Sequence, residues 1–453
     1  MNKKDLPNAQ SAKSSRRDFI RKSSLLAAAG AVGTSLSIAR SAHAFGSDTI
    51  KIGLVGCGSR GSSAASQAMN SMLRNDIDPN GEVKIITMGD VFPHRMQMST
   101  RAIKGLHEKS FDVPKDRQFI GFDAYKRVLE TDIDLVILAT PPGFRPLHFE
   151  AAVEAGKHVF MEKPVATDAP GVRRVLAANE EAQRKNLAVA VGLQRHHEKK
   201  YLETMRRIWD GAIGEILYTR VYWNGDGVWV RNREPGQTEL EYQMKNWYYF
   251  NWICGDHICE QHIHNLDVSN WLVDSYPVDC NGMGGREVRT GKDHGQIFDH
   301  HFCEYTYSNG VKMFSQCRHI AGSWKNISEH AHGTKGYADL SGKIYKPNGE
   351  LVWSYGRGGG GGHQEEHYDL FAALRRGELP TEGDYGAKST MTSILGRMAT
   401  YSGQVVKWED AINSDIALAD FDSLTSFEDT APVQPDPDGK YPVPVPGSDS
   451  EFV

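Results

Sequence analysis

The run Thr49 to Val55, TIKIGLV, is an apolar strand that feeds without a spacer into Gly56-Cys57-Gly58-Ser59-Arg60-Gly61. A strand entering G-x-G-x-x-G and leaving into a helix, expected over Ser62 to Leu73, is the opening of a doubly wound parallel sheet. The glycines let the backbone approach a pyrophosphate, and the helix N-terminus offers unpaired N–H groups to its charge. Gly56, Gly58, Ser59, Arg60 and Gly61 are therefore expected to hold a dinucleotide.

The following segments keep to that plan. A polar insertion, Asn75 to Gly81, delays a second strand, Glu82 to Met88, which delivers Asp90. A carboxylate there accepts from the adenosine ribose hydroxyls and repels a 2′-phosphate, so NAD is favoured, while Arg60 and Arg95 keep NADP open. A short helix over Tyr125 to Glu130 precedes the strand Asp134 to Ala139, which Thr140-Pro141-Pro142 terminates, and a loop then leads through His148 to a helix over Phe149 to Ala155. The stretch Ala155 to Ala166, AGKHVFMEKPVA, gives a strand from His158 to Met161 and then Glu162, Lys163 and Pro164. A lysine just past a strand end, fixed by the following proline, is a positioned cation at the mouth of a sheet, where ligands bind. A helix over Asp168 to Lys185, a strand over Ala188 to Gly192 and the polar loop Gln194-Arg195-His196-His197 complete this part.

From about Gly214 strands such as Glu215 to Trp223, His300 to Tyr307 and Val311 to His319 replace the alternation with helices, which predicts a largely antiparallel sheet. A glycine run, Gly358 to Gly362, precedes helices over Gln364 to Arg376 and Ala387 to Gly403. The expected fold class is α/β: an N-terminal Rossmann domain, residues 45–192, and a C-terminal α+β domain with an open, mostly antiparallel sheet, residues 193–427. An extended Pro/Asp/Gly-rich tail, 428–453, follows. A chain of 453 residues has room for two such cores.

The first 44 residues stand outside that fold. Ser15-Arg16-Arg17-Asp18-Phe19 precedes a weakly apolar run, Leu25 to Ala39, and Ala42-His43-Ala44 fits a small-x-small cleavage site. This reads as a twin-arginine signal peptide, so the mature chain is expected in the periplasm or beyond, with no stable membrane insertion after cleavage. A net charge of −5 gives no basic surface for nucleic acid. Six unevenly spaced cysteines make no disulfide framework and are expected mostly as buried thiols.

GLVGCGSRG, DLVILATPP followed by His148, AGKHVFMEKP, VGLQR and the segment ending HIHNLDVSNWL, in that order over Ile50 to Leu272, resemble the Gfo/Idh/MocA family (glucose–fructose oxidoreductase, inositol dehydrogenase, rhizopine catabolism). The resemblance implies a nicotinamide cofactor, a sugar, polyol or glycoside substrate, and a homo-oligomer, dimer or tetramer. It adds Thr140, Pro141, His148, Glu162 and Lys163 to the cofactor site. It makes Lys163 a substrate contact and the family's D-x-x-x-H pair, here Glu260 and His264 in EQHIH, the acid/base. Glu260 replaces the usual aspartate and His262 a common glycine. Positions i and i+4 lie on one helix face. Arg195, Trp252, His257 and Asp267 are taken as substrate-binding candidates.

A hydroxyl losing hydride needs a base, and an imidazole serves near neutrality. Lys163 would stabilise the developing alkoxide, and Glu260 would orient both. Cys254, His257, Cys259, His262, His264, His300, His301 and Cys303 invite a zinc reading, but their spacing fits no compact knuckle, so no metal is expected. Three functions compete: an exported NAD(P)-dependent oxidoreductase with a tightly held cofactor; a glycosidase that oxidises, eliminates, hydrates and re-reduces; and a sugar-binding protein without catalysis. The retained Lys163 ranks the first ahead of the second.

Overall fold

The structure is a computed structural model that describes residues 49–71, 82–358 and 360–448. The expected signal peptide, residues 1–44, and the polar insertion at 75–81 lie outside the described residues.

Strands β1 (Thr49–Val55), β2 (Glu82–Asp90), β3 (Gln118–Ile120), β4 (Leu135–Leu138), β5 (His158–Met161) and β6 (Val189–Val191) form a six-stranded sheet in the order β3-β2-β1-β4-β5-β6. All of its pairings are parallel. Chain order reverses between β1 and β4, and the crevice outside the strand ends at that point is where such sheets take ligands. β4 and β5 are buried at every position, which is why they read as unbroken apolar runs.

The second sheet runs β14-β13-β12-β11-β7-β10-β9-β8-β15. Its central strands are β7 (Ile216–Gly225), β8 (Pro277–Gly285), β9 (His300–Tyr307), β10 (Lys312–His319) and β11 (Asn326–Gly333), and β12 (Tyr337–Asp339), β13 (Lys343–Tyr345), β14 (Leu351–Ser354) and β15 (Val406–Lys407) complete it. Neighbours are antiparallel except β7 and β10, which run parallel. Buried and half-buried residues alternate along β9 and β10, so one face is packed and the other is left open.

Two helices join the sheets. The helix Gly383–Ser402 is buried along almost its whole length, and its side chains pack in one core with Val136 and Val159 of the first sheet and Cys303 and Tyr305 of the second. It also fixes loops: Thr390 Oγ1 accepts from the Val165 N–H at 3.2 Å, Arg397 donates to Thr167 O at 2.6 Å, and Thr392 accepts from Asn270 at 2.9 Å. The loop after Lys163 and the helix that carries His264 thus share one rigid support.

The helix Gly362–Arg375 adds a later segment to the nucleotide domain expected over residues 45–192. Leu370, Phe371 and Leu374 pack with Ile50, Ile52 and Leu54 under the parallel sheet, Gln364 bonds to Asn70 and to Gln67 O, and the Val189 N–H reaches Pro380 O. The sheet face left bare by the first 192 residues is covered by chain from residues 362–381. Other elements also shift. The helix after the glycine loop begins at Ser59, directly on Gly58, and the helix expected from Phe149 begins at Arg145, which places His148 inside it. The tail crosses the helix Glu239–Lys245, where Tyr441 donates to Glu239 at 2.6 Å and Val433 O accepts from Gln243 at 2.6 Å.

Candidate active site

The glycine loop is fixed by contacts that tolerate no side chain. Gly56 has φ +97°, and a Cβ on it would lie 2.5 Å from Ala139 C; a Cβ on Gly61 would lie 1.9 Å from Gly56 O. Gly58 differs, since a Cβ there meets nothing within 4 Å. Gly58 is also the N-cap of the helix Ser59–Asn70 and supplies no side-chain cap, so the first N–H groups face that open space. Asp90 closes the loop from the neighbouring strand, with Oδ2 accepting from the Cys57 N–H at 2.6 Å and Oδ1 from the Phe92 N–H at 2.8 Å. Burial raises its pKa, and these two N–H groups oppose the rise. An uncapped helix start, an open cradle and a carboxylate with lone pairs to spare fit a dinucleotide.

The crevice continues along the ends of β4 and β5. Buried Arg145 donates to Leu138 O at 2.5 Å and to Thr140 O at 2.6 Å, holding the turn at Thr140 and Pro141 in place, and burial lowers its pKa to about 10. Thr140 Oγ1 lies 3.1 Å from His148 Nδ1, and burial, with Arg145 nearby, lowers the His148 pKa to about 3, so this imidazole stays neutral. Glu162 is buried and takes Arg60 Nε at 2.7 Å, a link from the strand end across to the glycine loop.

Lys163 follows, across a cis Lys163–Pro164 bond. Its ammonium donates to Glu260 Oε1 at 3.1 Å and to Glu260 O. Glu260 and His264 are not on one helix as expected. Glu260 ends a single turn, His257–Glu260, and His264 sits in the first turn of the helix Ile263–Val273, with Gln261 and His262 as the break. The buried ring of His262, anchored to Ser315 Oγ at 2.7 Å, holds that break, and a glycine could not do so. His264 is buried, stacks at 5.9 Å on Trp223, and its Nδ1 has no hydrogen-bond partner. Burial, then the charges of Lys163, Arg195, His363 and Arg60, push its pKa well down. The result is a neutral base ringed by cations.

Of the four expected substrate contacts, Trp252, Asp267 and His257 are engaged within the fold, and Arg195 stands near His264. Trp252 is in the core: its indole N–H donates to Gln243 at 2.7 Å, and its ring packs against Phe144 and Phe421, leaving no face for a sugar. Both Asp267 oxygens are engaged, by His196 and Ser389 at 2.7 Å each. His257 is fully buried against Asp256. Arg195 pairs with buried Glu329 at 2.5 Å, and Glu329 also takes Tyr201 at 2.8 Å and Asn265, the neighbour of His264, so Arg195 is tied to the start of the helix Ile263–Val273.

Sequence reasoning missed the first turn of the helix Gly362–Arg375. Glu366 is buried with neither oxygen hydrogen-bonded, 3.5 Å from His363 Nδ1 and 3.8 Å from His367 Nδ1. Burial, with the charge of Glu162 adding, raises its pKa to about 7. The available signal was HQEEH directly after the glycine run. All six cysteines are free and buried.

Residues 50–192 match the GFO_IDH_MocA family model, oxidoreductase family, NAD-binding Rossmann fold. The inositol 2-dehydrogenase/D-chiro-inositol 3-dehydrogenase of Halalkalibacterium halodurans is 25% identical over 193 residues, 43% of this chain and 47% of that protein. The chain thus spans under half the length of the curated relatives it matches. Levoglucosan dehydrogenase, solved with NADH and levoglucosan, superposes with a TM-score of 0.61 at 18% identity over 79% of this chain and 99% of that one. The Caulobacter crescentus aldose-aldose oxidoreductase, solved with glycerol, gives 0.59 at 16% identity over 79% and 99%. The two-sheet architecture is the one those structures share, and residues 50–192 match the NAD-binding Rossmann fold of the Gfo/Idh/MocA oxidoreductase family.

Proposed function

We propose that the protein oxidises or reduces a hydroxyl-bearing carbon of a sugar, polyol or glycoside with NAD, and that it does so after twin-arginine export. The observation that carries this reading is the convergence of Lys163, Glu260 and a neutral, buried His264 at the end of the crevice that the glycine loop opens. When bound, the nicotinamide supplies the hydride acceptor or donor. Gly58, the helix start at Ser59 and Asp90 would hold its dinucleotide, with Thr140, Pro141 and His148 lining the path to Glu162 and Lys163.

The chain's own groups supply proton handling. His264, kept neutral, takes the hydroxyl proton of an alcohol substrate. The Lys163 ammonium, held by Glu260, stabilises the alkoxide that this removal creates. The cations that keep His264 neutral oppose its taking the proton, and the alkoxide they stabilise offsets that cost. In the reverse direction the same groups return the proton. An exported enzyme meets little free nucleotide, so the cofactor is expected to remain bound between turnovers, loaded before export and recycled by a second substrate.

A redox-assisted glycosidase is the second reading, and Glu366 favours it. Expelling an aglycone needs an acid beyond the one a simple dehydrogenase uses, and a carboxyl with a pKa near 7 behind Glu162 is such a group. Denaturing purified protein and identifying the released nucleotide by absorbance and mass tests the first requirement of both readings. An empty protein that also fails to bind added NAD or NADP would overturn them. Assaying loaded protein on alcohols and on aryl glycosides then separates oxidation from bond cleavage.

A further inference from the structure

Beside the Glu260 turn lies a sealed cluster of polar groups for which hydride chemistry has no use. Asp256 is fully buried and adopts φ 70°, ψ 162°, a backbone conformation that non-glycine residues hold only where their surroundings force it. Its Oδ2 is anchored by the Phe298 N–H at 2.9 Å and the Tyr401 hydroxyl at 2.6 Å. Its Oδ1 faces two imidazole nitrogens, His257 Nδ1 at 2.7 Å and His301 Nε2 at 3.3 Å, besides the His257 backbone N–H.

His301 Nε2 is buried without a hydrogen-bond partner and lies 3.3 Å from Asp256 Oδ1, while its Nδ1 lies 2.9 Å from Thr400 Oγ1. Nearby, His257 Nε2 and His319 Nδ1 are buried without hydrogen-bond partners, in rings 4.3 Å apart.

We infer that Asp256, His257 and His301 hold a divalent transition-metal cation, zinc by its donor set of one carboxylate oxygen and two imidazoles. The three ligand atoms lie within 4.8 Å of one another. The separations to Oδ1 are 2.7 and 3.3 Å, against ~3.4 Å between tetrahedral ligands bonded at ~2.1 Å, so the His301 side already has ligand spacing and the His257 ring must move outward by under ~1 Å. Phe298 and Tyr401 play the outer-shell part that keeps a ligating carboxylate aimed. The cation ties the turn carrying Glu260 to β9 and, through Thr400, to the helix Gly383–Ser402, and so sets where Glu260 meets Lys163.

The test is independent of turnover. Untagged, full-length protein purified without chelators is analysed for metals by mass spectrometry, then dialysed against dipicolinate and melted with and without added Zn²⁺ or Mg²⁺. The site predicts about one zinc per chain, a melting temperature several degrees lower after chelation, and recovery with Zn²⁺ but not Mg²⁺. His301→Gln and Asp256→Asn should lose the metal. Wild-type protein that carries no transition metal and whose melting does not respond to Zn²⁺ or chelator would overturn the inference, as would full metal content in folded His301→Gln. Because wild-type protein alone decides the first point, a variant that fails to fold leaves the proposal testable.

Discussion

The two ends of the crevice are built from different materials. At the nucleotide end the contacts are backbone: glycines that admit no Cβ, an uncapped helix start and a carboxylate that grips N–H groups two residues on and across a strand. At the reacting end the contacts are side chains from 163, 260–264 and 363–366, long buried groups whose partners come from distant segments. The first kind of site works through fixed N–H groups and is intolerant of volume. The second tolerates volume but depends on which proton sits where. Substitutions at each end should therefore fail differently.

The largest effect is expected at Lys163. Lys163→Met removes the ammonium that stabilises the alkoxide while leaving the glycine loop untouched, so hydride transfer should fall about 10³-fold with nucleotide still bound. Single-turnover absorbance of the loaded protein measures the first and released nucleotide the second. If nucleotide is lost together with activity in a folded variant, the two ends are not separable and the contrast collapses.

Glu366 sharpens the comparison on the stability side. Its folded pKa of about 7 lies above the ordinary carboxyl value of 4.5, so its unfolded form loses its proton first as pH rises. Native stability is therefore undiminished below about 4.5, is lost as pH climbs towards 7, and stays reduced above that, by about 3 kcal/mol at most. The groups around it are His363, His367, Glu162 and His197; His363 and His197 oppose the rise, Glu162 adds to it, and His367, whose own pKa is lowered to about 3, stays neutral. Glu366→Gln cannot ionise and should flatten the pH profile of the denaturation midpoint between pH 5 and 8. A wild-type profile already flat there would mean that the carboxyl is ionised and paired.

What the sequence disclosed follows the same division. A backbone-built site is local, because strand, glycines and helix are contiguous, so residues 49–70 could be read directly and the parallel sheet followed from alternation. Lys163 was legible because a proline fixes it at a strand end. Trp252, His257 and Asp267 misled, since a string of aromatic and polar residues looks the same whether it lines a pocket or fills a core; only the partners Gln243, Asp256, His196 and Ser389 decide, and those lie 1 to 122 positions away. Glu366 and the return of residues 362–381 to the first sheet were invisible for the same reason. The break between Glu260 and His264 depends on Ser315 across the second sheet.

Gly58 tests the backbone end in isolation. With φ −72° and ψ −177° it sits where alanine is unstrained, and a Cβ meets nothing within 4 Å. Gly58→Ala should melt like wild-type protein stripped of nucleotide, yet bind dinucleotide about 10- to 100-fold more weakly, because the methyl occupies the space for the pyrophosphate. Gly61→Ala should instead destabilise the fold itself, since its Cβ would lie 1.9 Å from Gly56 O. Equal loss of stability in both variants would show that the space at Gly58 is structural.

The smallest effect is the one place where the two materials meet. Asp90 belongs to the backbone end by its contacts but acts by charge, and a 2′-phosphate beside it would be repelled by about 1 kcal/mol even at the screening of bulk water. Asp90→Asn keeps an acceptor for one of the two N–H groups and removes the charge, so the ratio of NAD to NADP affinity should fall roughly fivefold, with Arg95 and His94 at hand to receive the phosphate. The same discrimination should weaken in the wild-type protein as pH falls, because burial raises the Asp90 pKa and the carboxylate is neutralised at a higher pH than an ordinary aspartate. Titrating both dinucleotides across pH 5 to 8 by fluorescence measures this. A preference independent of pH and unchanged in Asp90→Asn would move selection from charge to shape, and the nucleotide end would then be backbone-built throughout.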